Sequence, residues 1–303
     1  MLLKKAILTG GTGFIGYWLL KKLVENEVFV YVVCRKNSTR IDRITAFENI
    51  KIIELDMNEI ELLPDYINEQ CSTFYHLAWE GQRNDIDEQF QNVGYSLNTL
   101  KTAKKLGCQR FIVTGSQAEY GISTERIYED SDVLPNTAYG ASKLACYNLI
   151  KVGARLMNLE YIWVRIFSVY GPKDNSNTLI SYLFHCFENA VCPNLTDCNQ
   201  LWDYLYCEDA AEALYLLGES KHSNELYNLA YGKSEKLRRY VEILEKKLNS
   251  TIDINFGGFE SSTPIVSLDV SCEKLFRDLG WRPKHSFEEG IGSMMLDPER
   301  RHK

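Results

Sequence analysis

Three kinds of signal are missing from this chain of 303 residues. Its nine cysteines are scattered, with no C-x-x-C pair and no Cys/His spacing suited to zinc. That excludes a disulfide framework and a sequence-readable metal site, and it suits a reducing cytosol. Positive charge is in deficit: 34 Lys and Arg face 41 Asp and Glu, a formal net charge of -7. No broad basic surface serves nucleic acid or an anionic membrane, although a local pocket for phosphates stays open. No apolar stretch is long enough to span a bilayer, and residues 1–5 pass straight into a strand pattern without a signal-peptide profile. Repeats, low-complexity tracts and long flexible linkers are absent too. The expectation is a cytoplasmic protein with no nucleic-acid, membrane or metal partner. At 45% hydrophobic and 25% charged residues the composition is ordinary for a globular protein with a sizeable core.

What is present begins at residue 6. Ala6-Ile7-Leu8 is an apolar run, Thr9-Gly10-Gly11-Thr12-Gly13-Phe14-Ile15-Gly16 follows, and a helical pattern through Leu19, Leu20 and Leu23 comes next. Strand, glycine turn and helix is the setting in which a glycine fingerprint means dinucleotide binding. Glycine permits the tight turn and lets the backbone approach a pyrophosphate, which then meets amide donors at the helix N-terminus.

Further strand patterns lie at 28–33, 50–55, 74–78, 111–114 and 161–166, with helical patterns between several of them, notably 93–106 and 142–157. Short apolar strands alternating with helices predict an α/β fold with a doubly wound parallel Rossmann sheet. The alternation weakens after Gly171-Pro172. Residues 1–171 are therefore expected to form the NAD(P)-binding domain, with segments near 200–230 returning to it. Residues 172–303 are expected to be mostly a smaller substrate-binding domain, with a helix over 237–248.

A second motif is Tyr139-Gly140-Ala141-Ser142-Lys143, which opens a helical pattern. Tyr139 and Lys143 at i, i+4 share one face. A lysine cation beside a phenol is expected to lower the tyrosine pKa, so that the phenol exchanges a proton with a substrate oxygen near neutral pH. Ser116 follows the fifth strand, on the carboxyl edge where doubly wound sheets bind ligands, and its hydroxyl can hold the reacting oxygen against Tyr139.

With these residues the chain resembles the extended short-chain dehydrogenase/reductase family of NAD(P)-dependent nucleotide-sugar epimerases, dehydratases and reductases. T-G-G-T-G-F-I-G at 9–16 is similar to its TGxxGxxG, Asp56-Met57 to its adenine-side pair, and His76-Leu77-Ala78 to its H-L-A-A, with Trp79 replacing the last alanine. Gly115–Gly121 resembles the segment of the catalytic serine, and Arg165–Pro172 resembles R-x-F-N-V-Y-G-P. The resemblance implies Tyr139 as acid/base, Lys143 on the nicotinamide ribose and phenol, and Ser116 on the substrate oxygen. It implies cofactor contacts from Gly10, Thr12, Gly13, Phe14, Ile15, Gly16, Asp56, Met57, Leu77, Ala78, Tyr139, Lys143 and Ile166. It also implies a homodimer built on the helices at 93–106 and 142–157.

The departures are informative. Cys34 stands where NAD-using members carry an acid for the adenosine ribose, and Arg35 and Arg40 follow. A carboxylate repels a 2′-phosphate and arginine binds one, so the expected cofactor is NADP(H). Gln117 and Ala118 occupy the places of the dehydratase acids, which argues against dehydration, and Glu119 is expected to be structural. Ser168 stands where asparagine is usual, and Trp202-Asp203 where an R-D pattern often binds the diphosphate. Trp79, Gln117 and Ser168 are substrate-side candidates by position. The expected activity is an NADPH-dependent reduction of a nucleotide-linked 4-keto-6-deoxy sugar. An NDP-sugar 4-epimerase and a non-catalytic dinucleotide sensor are the alternatives.

Overall fold

In the computed structural model, which describes residues 3–261 and 265–297, the apolar runs become parallel strands buried on both sides. Residues 1–2 of the expected N-terminal run and 298–303 of the expected C-terminal part lie outside the described residues. The first half runs β1 (Lys5–Thr9), α1 (Phe14–Glu25), β2 (Phe29–Cys34), β3 (Ile50–Glu54), β4 (Thr73–His76), α2 (Ile86–Lys105), β5 (Arg110–Ser116), α3 (Ala138–Leu156) and β6 (Glu160–Ile166). The rest runs β7 (Ser168–Tyr170), α4 (Leu179–Glu188), β8 (Asn194–Leu195), β9 (Leu201–Trp202), β10 (Tyr204–Tyr206), α5 (Cys207–Glu219) and β11 (Glu225–Leu229). It closes with β12 (Glu235–Lys236), α6 (Leu237–Lys247), β13 (Asn255–Phe256), α7 (Glu273–Leu279) and α8 (Phe287–Leu296).

The central sheet has the order β3-β2-β1-β4-β5-β6-β11, and every pairing in it is parallel. This is the doubly wound Rossmann order the alternation predicts, with its reversal between β1 and β4. Register sets the site: Thr9 pairs with His76 and Ser116 with Ile166, so the carboxyl ends of four strands lie side by side.

Side chains alternate across the sheet, and each face has its own helices. Leu8, Val30 and Val32 pack with Leu19, Leu20 and Leu23 of α1 and Leu214 of α5. Ile7, Val33, Phe74 and Phe111 face the other way, against Leu100 of α2 and Ile150 and Ala154 of α3. Burying each such Leu or Ile contributes about 1.5–3 kcal/mol. Beyond β6, β7 pairs with β10, and a third cluster gathers Tyr170, Tyr206, Tyr240 and Phe287.

Several boundaries differ from the sequence pattern, that of β5 among them, which runs on to Ser116. α2 starts at Ile86 rather than near 93, because Asp85 caps the Glu88 amide at 3.0 Å while Ile86 and Phe90 in the first turns stay exposed. α3 starts at Ala138, capped by Thr137, so the Tyr139–Lys143 motif opens the helix as its spacing predicts, four residues ahead of the apolar pattern at 142–157. β4 ends at His76, so Leu77 and Ala78 lie past the sheet. Among the described residues no helix is long and apolar enough to cross a membrane, and no group of His, Cys, Asp and Glu is placed to hold a metal. All nine cysteines are free.

Candidate active site

The glycine loop joins β1 to α1 at the reversal point. Gly10 has φ +77°, and a Cβ there would lie 2.8 Å from the Ala78 nitrogen. A Cβ on Gly16 would lie 2.1 Å from the Gly10 carbonyl oxygen. Backbone thus passes backbone too closely for any side chain, leaving a bare cradle at a helix start. Gly13 caps α1 without a side-chain hydrogen bond, and the first turn holds no acid, so the free amides suit an anion. Thr12, Phe14 and Ile15 belong to the same turn. These features fit a dinucleotide pyrophosphate.

At the end of β2, Cys34 is buried, and burial with the Glu54 carboxylate pushes its thiol up to about 11. Arg35 and Arg40 are exposed beyond it. Arg35 meets Glu80 at 3.4 Å with both side chains largely in solvent, a weak pair that an anion can displace. Asp56 accepts the Lys36 amide at 3.1 Å, tying the end of β3 to this loop, and Met57 begins a 3-10 helix.

The buried His76 orders the strand ends. Ser96 Oγ donates to the Asn92 carbonyl at 2.8 Å, so it accepts from His76 Nε2 at 2.9 Å. His76 Nδ1 then accepts from the Thr9 hydroxyl at 2.8 Å, and Thr9 in turn accepts the Ala78 amide at 3.3 Å. Burial, reinforced by the Lys143 charge, holds the ring neutral, down to about 3.

Ser116, Tyr139 and Lys143 converge here. The Thr137 hydroxyl accepts the Gly140 amide at 3.1 Å and starts α3, putting Tyr139 in its first turn. The Ser116 hydroxyl hydrogen-bonds the Tyr139 phenol and accepts the Ala118 amide at 3.2 Å. Lys143 Nζ donates to the Thr114 carbonyl at 2.7 Å and stands 5.8 Å from the phenol ring centroid. Beneath them lies a buried ion pair. Glu119 accepts from the Ser116 amide at 2.8 Å, Trp163 Nε1 at 3.0 Å and Arg165 Nε at 2.8 Å. With both oxygens engaged, Glu119 is a structural anchor rather than a displaced dehydratase acid.

The lowered phenol pKa expected from Lys143 is not found. Burial pushes the Tyr139 phenol up and outweighs the opposing Ser116 hydrogen bond and Arg83 cation, while the Glu119 carboxylate adds to the rise. Burial also pulls Lys143 down, to about 8, against the Cys146 and Glu119 interactions.

Sequence reasoning missed Arg83. Its guanidinium lies 5.2 Å over the Tyr139 ring, and its carbonyl accepts the Tyr139 amide at 2.9 Å. No motif marks it, since a turn after β4 delivers it. Trp79 lies against Lys143 and Tyr139, while Gln117 and Ser168 are partly exposed at the ends of β5 and β7. Asp203 accepts the Tyr231 and Gly232 amides at 2.6 and 2.8 Å, and burial lifts its carboxyl to about 6. The neighbouring Trp202 indole N–H is buried without a hydrogen-bond partner among the described residues.

Residues 6–230 match the model of the NAD dependent epimerase/dehydratase family, and the chain belongs to that family. It is an enzyme of the extended short-chain dehydrogenase type, whose members use NAD(P). The dTDP-4-dehydro-6-deoxyglucose reductase of Escherichia coli is 25% identical over 304 residues, spanning 95% of this chain and 96% of that one. A UDP-glucose 4-epimerase of Azospirillum brasilense is 24% identical over 324 residues, spanning 98% and 92%. Two solved structures show the same fold. UDP-N-acetylglucosamine 4-epimerase of Methanobrevibacter ruminantium M1, in complex with UDP-N-acetylmuramic acid, matches with a TM-score of 0.85 at 23% identity, over 98% of this chain and 99% of that one. dTDP-glucose 4,6-dehydratase from Bacillus anthracis, in complex with NAD, gives 0.86 at 21% identity, over 98% of each.

Proposed function

We propose that this protein is an NADPH-dependent reductase of a nucleotide-linked 4-keto-6-deoxy sugar. The observation that carries the reading is the convergence of Ser116, Tyr139 and Lys143 at the carboxyl edge of the sheet that also carries the bare glycine cradle. A phenol that keeps its proton at neutral pH suits the reductive direction, in which the ring carbonyl must gain one. Ser116 and Tyr139 together bind the carbonyl oxygen. Tyr139 delivers its proton as negative charge develops there, and Ser116 stabilises that charge. The Lys143 ammonium orients the cofactor ribose and keeps the site positive. Reduced nicotinamide, when bound, supplies the hydride.

Neutral Cys34 with exposed Arg35 and Arg40 behind it supports NADP(H) over NAD. The Escherichia coli reductase supports the substrate class. Residues 172–303 supply most of the sugar-nucleotide side in this reading, and the nine free cysteines suit the cytoplasm. A 4-epimerase is the second reading, favoured by the epimerase relatives with the same whole-chain coverage.

The test follows absorbance at 340 nm with NADPH and dTDP-, CDP-, GDP- and UDP-linked 4-keto-6-deoxy sugars. Stoichiometric NADPH loss with one of them is expected, with at least a ~100-fold slower rate in Tyr139→Phe. A new isomer from an NDP-hexose with no net oxidation would move the assignment to the epimerase. Tight NADP(H) binding without turnover of any sugar would leave a dinucleotide sensor.

A further inference from the structure

Trp79 stands where the resembled family carries alanine, and it touches the ammonium of Lys143. Lys143 is 3% exposed. Thr114 accepts one of its protons, and the Trp79 ring covers another side, its centroid 3.7 Å from Nζ. Indole is the strongest aromatic partner for a cation, and the attraction grows where water is excluded.

The ring is itself fixed. Its Nε1–H donates to Gln89 Oε1 at 2.8 Å. Gln89 is buried in α2 and donates to the Glu80 and Gln82 carbonyls at 3.3 and 3.0 Å. Asn92, one turn on, accepts the Glu80 amide at 3.1 Å and donates to the Glu80 carbonyl at 2.9 Å. The Trp79 and Tyr139 rings meet edge to face, with centroids 6.1 Å apart. Two buried amides of α2 thus tether an indole that touches both members of the Tyr/Lys pair.

We propose that Trp79 is a positioning residue for Lys143, its π face keeping the ammonium charged and aimed between Tyr139 and the dinucleotide cradle. The inference rests on the reading of Tyr139 and Lys143 as the acid/base pair of a dinucleotide enzyme. It accounts for a lysine that stays cationic in a dry pocket with no carboxylate hydrogen-bonded to it among the described residues. The other groups facing Lys143 are Tyr139 and Cys146 from α3, Glu119 from the turn after β5, and His76 from β4, with Arg83 beyond the phenol. Substituting Trp79 keeps each of these groups and removes one contact to them, the edge-to-face packing on Tyr139, which the π face of Trp79→Phe retains.

The experiment measures NADPH and NADH affinity by fluorescence titration across pH 6–10, for the intact chain, Trp79→Phe and Trp79→Leu, with thermal melts of each. The Lys143 ammonium is lost as pH rises through about 8, so affinity falls on that limb. In Trp79→Leu the limb is expected about one unit lower, a complex about fivefold weaker at pH 8 and approaching tenfold weaker at higher pH. Trp79→Phe, which keeps a π face but not the indole N–H, is expected to stay within about 0.3 unit of the parent. An unshifted Leu variant overturns the proposal, as does a Phe variant that shifts as far as Leu with a matching loss of thermal stability. Should Trp79→Leu not fold, Trp79→Met carries the test, a downward shift supporting the π contact and an unshifted limb overturning it. If the intact chain binds neither dinucleotide, the underlying reading fails. If it binds as expected and only the variants disagree, the role of Trp79 alone falls.

Discussion

Two cations flank the Tyr139 phenol and act by different routes. Lys143 is drawn toward the Thr114 carbonyl and the Trp79 ring, whereas Arg83 lies over the phenol ring and lowers its pKa against the effect of burial. Removing the Arg83 charge must therefore raise the phenol pKa further. In Arg83→Gln the ionisation assigned to Tyr139 in the pH profile of kcat/KM should move up by ~0.5–1 unit, with Arg83→Lys restoring most of it. An unmoved or lowered ionisation would show that Arg83 only packs on the ring. The Tyr139/Lys143 pair was legible because i, i+4 spacing is local. Ser116 was legible because a strand end announces itself by pattern. Arg83 and the Trp79 contact were not, since a turn after β4 makes them and no periodicity encodes its path. The expected direction of the Tyr139 shift failed for a related reason: spacing reveals a nearby lysine, but not the desolvation that outweighs it.

At the scale of elements, the position of Tyr139 depends on where α3 begins. The apolar period alone begins near 142, because Ala138–Ala141 carry no buried apolar stripe, while the Tyr139–Lys143 spacing already asks for a helical turn ahead of it. The hydroxyl of Thr137 sets the helix start four residues earlier. Thr137→Ala should cost about 1 kcal/mol in denaturant unfolding. It should also fray the turn that holds Tyr139, so kcat falls by more than the small unfolded fraction explains. Thr137→Ser should recover both. Equal stability loss with unchanged kcat would mean that the Tyr139 amide bond to Arg83 holds the turn alone. The segment 116–119 shows the opposite balance. Gly115, Ser116 and Glu119 were all visible in the sequence, yet their joint role needs Arg165 and Trp163, brought in by the neighbouring strand β6.

For the whole molecule, the parallel order was legible because each βαβ step repeats the same signal, apolar strand then amphipathic helix. After Gly171 the strands β8, β9, β12 and β13 are two residues each, too short for any period to register, and their pairing depends on distant partners. One large-scale property remains open to measurement. The outer surfaces of α2 and α3 leave Ile86, Phe90, Leu149, Val152 and Leu156 in solvent, with Phe90 73% and Leu156 77% exposed. Isolated apolar residues are normal, but Leu149, Val152 and Leu156 follow one face of α3 and Ile86 and Phe90 one face of α2, helices that pack against each other. The resemblance implies a homodimer built on these same helices. The isologous pairing of α2 and α3 with their copies would join four helices and exclude water from apolar side chains on them. Light scattering on the intact chain should therefore give twice the chain mass. Leu149→Asp with Val152→Asp should give a monomer that still binds dinucleotide within about twofold, because both residues point away from the cradle and introduce like charges facing each other across the axis. A monomeric parent chain at micromolar concentration would refute the pairing and leave the patch for another partner.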